Sequence, residues 1–110
     1  MDLIDKFELI KKEYEKVDQE VKSREGKPFF RTEHGLWGAA GMLDMFEYFL
    51  KNNPEDKRFA DYGCGDGRIV LIASLFTQAT GVEGNKELCT LAEELRLKLL
   101  PGIPELERAK

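Results

Sequence analysis

The stretch "DYGCGDGR", Asp61 to Arg68, sets glycines at alternate positions, Gly63, Gly65 and Gly67, with one carboxylate before them and another, Asp66, among them. Glycine loses more conformational entropy on folding than any other residue, so such a cluster marks a backbone that must bend sharply, approach something closely, or both. "RFADY" before it reads as a short strand, and "GRIVLIASLF" after it as a buried helix. A glycine-rich turn between strand and helix is a place to receive a ligand. The helix N-terminus offers unpaired N–H groups and partial positive charge, and the missing Cβ atoms let a ligand touch the main chain. In an open parallel sheet the ligand sits outside the carboxyl ends of the strands. A second strand candidate, "ATGVEG", carries Glu83, 20 residues after Gly63 (83 − 63). An acid at that spacing can hold ribose hydroxyls, so the two features together predict a nucleoside ligand.

The charges narrow the choice. In the dinucleotide fingerprint G-x-G-x-x-G the third glycine allows close helix–strand packing. Here Gly63 and Gly65 match, but Arg68 holds the sixth position and the third glycine comes one residue early, at Gly67. Asp61 and Asp66 would repel a pyrophosphate and would suit a ligand with cationic groups. S-adenosylmethionine has a sulfonium, an ammonium and no phosphate, so the charge argument favours it over NAD, which stays as the competing nucleotide.

At this point the residues resemble a known family. "FADYGCGDGR" followed by "GVEGNKELCTLA" is similar to motif I and the following acidic motif of class I S-adenosylmethionine-dependent methyltransferases. The likeness covers about residues 58 to 99, with a helical segment before it as the family commonly has. The resemblance implies that Gly63 and Gly65 let the backbone approach the methionine and ribose, with Gly67 completing the G-x-G-x-G pattern. Asp61 would lie near the methionine ammonium and Glu83 would accept both ribose hydroxyls. Gly84 and Asn85 would border the adenine. Cys64 lies within the cofactor site, where it reads as a packing residue. No metal site is expected.

The resemblance also sets a fold expectation. The family has a seven-stranded sheet with helices on both faces, and this chain supplies its first two strands. It reaches "PGIPELERAK" where the family enters its third strand. The expected class is therefore α/β: an incomplete Rossmann-like methyltransferase fold, two parallel strands with helices, preceded by two helices. No residue stands where the family positions its acceptor. The catalytic residues and the methyl acceptor (small molecule, protein, RNA or DNA) are therefore unassigned. The alternative from another class is a non-catalytic assembly module on the same scaffold.

The elements that must position the turn are legible in outline. Leu3, Phe7, Ile10, Tyr14, Val17 and Val21 form a heptad seam over a helix from residue 2 to about 24. Its partner is either the same domain or a second copy of the chain. "SREGK" ends it, with Gly26 suited to a left-handed cap. Pro28 and the glycines of "PFFRTEHGLWGAAG" argue against regular structure there. Within it Arg31, Thr32 and His34 are candidates to line the cofactor site, and Trp37 reads as core. A second helix runs from about Gly38 to Asn52 with Met42, Met45, Phe46, Phe49 and Leu50 as its apolar face, and Pro54 stops it. Asn85 is a candidate N-cap for a helix through "NKELCTLAEELRLKLL", whose face is Leu88, Leu91, Ala92, Leu95 and Leu99. The division is residues 1–54, helical, and 55–110, the N-terminal half of a cofactor-binding domain.

The chain has 110 residues and a formal net charge of −4, with no basic stripe, which argues against a protein built to wrap nucleic acid. No apolar run reaches the roughly 18 residues of a membrane span. The acid- and lysine-rich N-terminus is not a secretory signal. Cys64 and Cys89 lack metal spacing and read as free thiols of a cytoplasmic protein. Two strands without further neighbours, an apolar third helix and the heptad seam also predict self-association, or a missing C-terminal half, to cover exposed edges and faces.

Overall fold

The heptad seam becomes a helix, α1, over Leu3–Glu25, opened by Asp2, whose Oδ1 accepts the Asp5 N–H at 2.8 Å. The computed structural model describes residues 1–25, 41–54 and 56–110. The expected roles of Gly26, Pro28, Arg31, Thr32, His34 and Trp37, and the expected helix start at 38–40, lie outside the described residues. The remaining elements are α2 (Met42–Asn52), β1 (Phe59–Tyr62), α3 (Arg68–Ser74), β2 (Ala79–Val82), α4 (Lys86–Leu99) and a 3-10 helix over Pro104–Arg108. The fold is α/β: among the described residues, four α-helices accompany two parallel strands.

The seam faces its own chain. Phe7, Ile10, Tyr14 and Val21 are buried, and Leu3 and Val17 half-buried. Phe7 stacks on Phe46 of α2 with ring centroids 4.2 Å apart, and Val21 packs with Leu88 of α4. Of the two partners open to the seam, the structure uses the same chain. The seam is therefore not a bare surface, as the self-association argument assumed.

A second correction concerns α3. Its Val70, Leu71, Ile72, Ala73 and Ser74 are all buried. α1, α2, both strands and the 3-10 helix surround it, so it is covered intramolecularly. Phe49 of α2 meets Phe59 of β1 and Phe76 after α3 at 5.3 and 5.5 Å, which ties the helices to the sheet. On α2, Phe46 and Phe49 are buried as the periodicity predicts, but Leu50 is exposed. Left-handed Asn53 caps that helix, its N–H bonding the Phe49 carbonyl at 2.9 Å.

β1 and β2 pair in parallel, Phe59 opposite Ala79 and Asp61 opposite Gly81, with α3 as the crossover between them. Parallel strands need such a crossover, and here it lies against one face of the sheet. Side chains alternate between faces: Phe59, Asp61, Ala79 and Gly81 share the face of α3, whereas Ala60, Tyr62, Thr80 and Val82 are exposed on the other. The far edge of β2 is taken by the last residues of the chain, which the sequence reading left without a partner. Ala109 bridges Ala79 in parallel, the Lys110 N–H donates to the Ala79 carbonyl at 2.9 Å, and the Gly81 N–H to the Lys110 carbonyl at 2.8 Å. Pro104–Arg108, with Leu106 fully buried, brings the chain back to that edge. Among the described residues no helix is long and apolar enough to cross a membrane.

Candidate functional site

Gly63, Gly65 and Gly67 all adopt left-handed backbone, with φ of +77°, +60° and +80°. L-residues with side chains reach that region only at a cost, so the alternate glycines answer a backbone requirement. They do so in different surroundings. A Cβ on Gly67 would lie 2.9 Å from the Ala92 Cβ, whereas one on Gly63 would meet nothing within 4 Å. Gly67 thus allows α3 and α4 to approach, and Gly63 stands on the open side of the turn.

Parallel pairing brings the two strand ends side by side, and the turn is tied to the end of β2. The N–H groups of Gly63 and Cys64 donate to the Val82 carbonyl at 2.6 and 3.0 Å. One residue on, Glu83 accepts the Gly65 N–H on Oε1 at 2.8 Å and the Asn85 N–H on Oε2 at 3.0 Å. Asn85 caps α4 as its position predicts, its side chain accepting from Glu87 and Leu88 at 2.9 and 3.2 Å. Gly84 is exposed, with nothing within 4 Å of its Cβ position. Asp61, Gly63, Cys64, Gly65, Gly67, Glu83, Gly84 and Asn85 therefore all lie at the adjoining carboxyl ends of β1 and β2.

Two carboxylates counted together in the sequence separate in space. Asp61 remains at the strand end. Partial burial, and then the neighbouring charge of Glu83, push its carboxyl above the ordinary range. Asp66 is fully buried and turned away. Its carboxylate binds the Arg68 guanidinium and accepts the Arg68 main-chain N–H at 3.3 Å. The first N–H of α3, one of those expected to be open to a ligand, thus already has an internal acceptor. The charge argument rests instead on Asp61 and Glu83.

Cys64 is half-buried, and a Cβ on Gly81 would come within 2.7 Å of its Sγ. Burial, then Asp61 and Glu83, push its thiol up to about 11. A cavity of about 220 Å³ lies between α3, β2 and α4, bordered by Cys64, Gly67, Val70, Gly81, Glu83 and Ala92 among others. Ligand pockets usually enclose about 300–1,000 Å³. A nucleoside would therefore lie over the strand ends rather than inside this space.

Comparison with protein families, with curated proteins and with solved structures finds no match to the chain.

Sequence reasoning missed the support beneath the turn: Tyr14 and Asp18 of α1 with Arg68 of α3. One signal was readable. An Asp commonly accepts the N–H two residues on, as Asp66 does from Arg68, and so belongs to the turn itself. No sequence signal ties Arg68 to an acid 50 residues earlier.

Proposed function

We propose that the chain is the S-adenosylmethionine-binding part of a methyltransferase, built on an incomplete Rossmann-like scaffold. A single arrangement carries the reading: a turn of left-handed glycines after one parallel strand, held through the Gly65 N–H by Glu83 at the end of the next. Beside it lies the raised carboxyl of Asp61. The Ala109 bridge adds a parallel partner on the far edge of β2, in keeping with a sheet that continues past two strands.

The ligand groups fit the residues chemically. An ammonium at Asp61 would offset both its partial burial and the repulsion from Glu83, whereas a pyrophosphate would add to that repulsion. Each Glu83 oxygen accepts one main-chain N–H and retains a lone pair for a ribose hydroxyl. Exposed Gly63 and Gly84 leave main chain open to a flat or extended ligand on either side. Bound S-adenosylmethionine would supply an activated methyl group. The transfer is an in-line displacement at the sulfonium carbon, so the protein contributes chiefly by holding donor and acceptor in line. The residues at the strand ends hold the donor; the acceptor class stays open.

Calorimetry with S-adenosylhomocysteine and with NAD on the 110-residue chain tests this. S-adenosylhomocysteine should bind and NAD should not displace it. Asp61→Asn should weaken S-adenosylhomocysteine and, by removing a repulsive charge, strengthen whatever affinity NAD has. Failure of the unaltered chain to bind S-adenosylhomocysteine, or the opposite response to Asp61→Asn, rejects the assignment.

A further inference from the structure

The charged cluster beneath the glycine turn reaches into α1, and ligand binding as described makes no use of it. Arg68 opens α3 directly after Gly67. Its Nε donates to Asp66 Oδ1 at 3.0 Å and its Nη2 to Asp66 Oδ2 at 2.6 Å. Its other edge faces α1, where Nη1 and Nη2 reach Asp18 Oδ2 and Oδ1 at 3.1 and 2.8 Å. The guanidinium carbon sits 5.0 Å from the centroid of the Tyr14 ring, also on α1. The Tyr14 hydroxyl donates to the main-chain carbonyl of Asp66 at 2.9 Å. Tyr14 and Asp66 are fully buried, and the Arg68 side chain is 12% exposed.

α1 therefore grips the turn in two ways, by a charge relay through Arg68 and by a hydroxyl on the main chain. A planar guanidinium bonded along two edges and stacked on a ring has little rotational freedom left. Asp66 stands between Gly65 and Gly67, both left-handed. Holding its carbonyl and its carboxylate fixes the peptide planes on either side, which carry the Gly65 carbonyl and the Asp66 and Gly67 amides.

We propose that Asp18 and Tyr14 are positioning residues: through Arg68 and Asp66, α1 sets the glycine turn in its ligand-receiving shape, so that α1 docking and ligand affinity rise and fall together. The affinity half of this rests on the S-adenosylmethionine reading; the conformational half does not. Asp18 is suited to the test because its side chain is 43% exposed and its loss leaves Arg68 still paired with Asp66. Asp18→Asn should therefore fold. Glu105→Gln is the control. It removes the Lys6–Glu105 ion pair, which ties α1 to the 3-10 helix, and Lys6 lies about 18 Å along α1 from Asp18.

The experiment follows the amide resonances of Gly63, Gly65 and Gly67 by NMR in the 110-residue chain, beside S-adenosylhomocysteine affinity. Asp18→Asn and Tyr14→Phe should displace the glycine resonances and lower affinity roughly 3- to 30-fold, as for residues coupled to a site through a packed network. Asp18→Glu should restore both in part, and Glu105→Gln should leave both unchanged. Glycine resonances no further displaced in Asp18→Asn than in Glu105→Gln overturn the proposal, as does unchanged affinity. If the unaltered chain binds no S-adenosylhomocysteine, the functional reading fails by itself, and the glycine resonances alone decide the positioning role.

Discussion

The carboxylate of Glu83 accepts the main-chain N–H of Gly65 at 2.8 Å, joining residues 18 apart in sequence. Its second oxygen holds the Asn85 N–H, so one side chain fixes both the turn after β1 and the loop that opens α4. The residue that the sequence marks as a ribose acceptor is thus also an architectural clamp. A change there acts on the shape of the site as well as on its chemistry.

Glu83→Ala should therefore destabilise the chain before any ligand is added. Hydrogen bonds to a charged group contribute about 1.5–3 kcal/mol each, and water can replace part of that at a half-buried position. A net loss of about 1–3 kcal/mol in urea unfolding is expected. Glu83→Gln, which keeps an acceptor for one N–H, should lose less. Equal stability of all three proteins would show that the clamp contributes nothing.

The glycines of the turn should not respond alike to alanine. Gly63→Ala meets only the left-handed backbone cost, about 1–2 kcal/mol. Gly67→Ala carries that cost and also sets its Cβ 2.9 Å from the Ala92 Cβ, where the start of α3 meets α4. Its loss should exceed that of Gly63→Ala by about 1–3 kcal/mol, the usual range for overpacking. Adding Ala92→Gly should recover part of the difference in Gly67→Ala and none in Gly63→Ala.

Helices, strands and the Asn85 cap were legible because each is a local pattern: heptad spacing, a short apolar run before glycines, a capping residue before a periodic face. The nearness of the candidate site residues was legible for the same reason, since they cluster in two short stretches that parallel pairing brings together. What escaped is non-local. Asp66 looked like a site acid, but the left-handed glycines on either side of it turn its carboxylate inward to an arginine. The cover over α3 comes from five other elements, and the partner of the far β2 edge comes from residues 109–110, beyond a 3-10 helix with no periodic signal.

The seam offers a sharp contrast between a dimer contact and a core. Ile10 is fully buried and belongs to the same cluster as Phe46 and Ile72. Ile10→Ala should cost about 2–5 kcal/mol by thermal or urea unfolding. Ile10→Asp should abolish cooperative melting at any protein concentration. A folded Ile10→Asp monomer would place the seam at an interface between copies instead.

The two thiols should separate in labelling. Cys89 is exposed, whereas Cys64 is half-buried with its thiol pushed up to about 11. The thiolate is the reactive form. Iodoacetamide at neutral pH should modify Cys89 and spare Cys64, as mass spectrometry of the peptides would read. Unfolding in urea should equalise them. Comparable labelling of Cys64 in the folded chain would contradict its packing between the turn and Gly81.

Asp61 should make the folded chain less stable at neutral pH and more competent to bind. Burial and the Glu83 charge raise its folded pKa above its ordinary value of 3.8. The folded state then holds this proton more tightly than the unfolded chain does. Its contribution to stability accordingly falls as pH rises from the ordinary carboxylate range through the raised value, and the penalty is complete above that. Glu13 and Glu105 act in the opposite sense. Lys98 and Lys6 lower their pKa values, so their contribution is lost as pH falls. Those two groups are common to both proteins and cancel in a comparison. Asp61→Asn should thus melt above the unaltered chain at pH 7, with the gap closing towards pH 3. Saturating S-adenosylhomocysteine should reverse the order at pH 7, because the ligand ammonium turns the unfavourable carboxylate into a partner. A higher melting point for Asp61→Asn both with and without ligand would assign Asp61 a cost and no use.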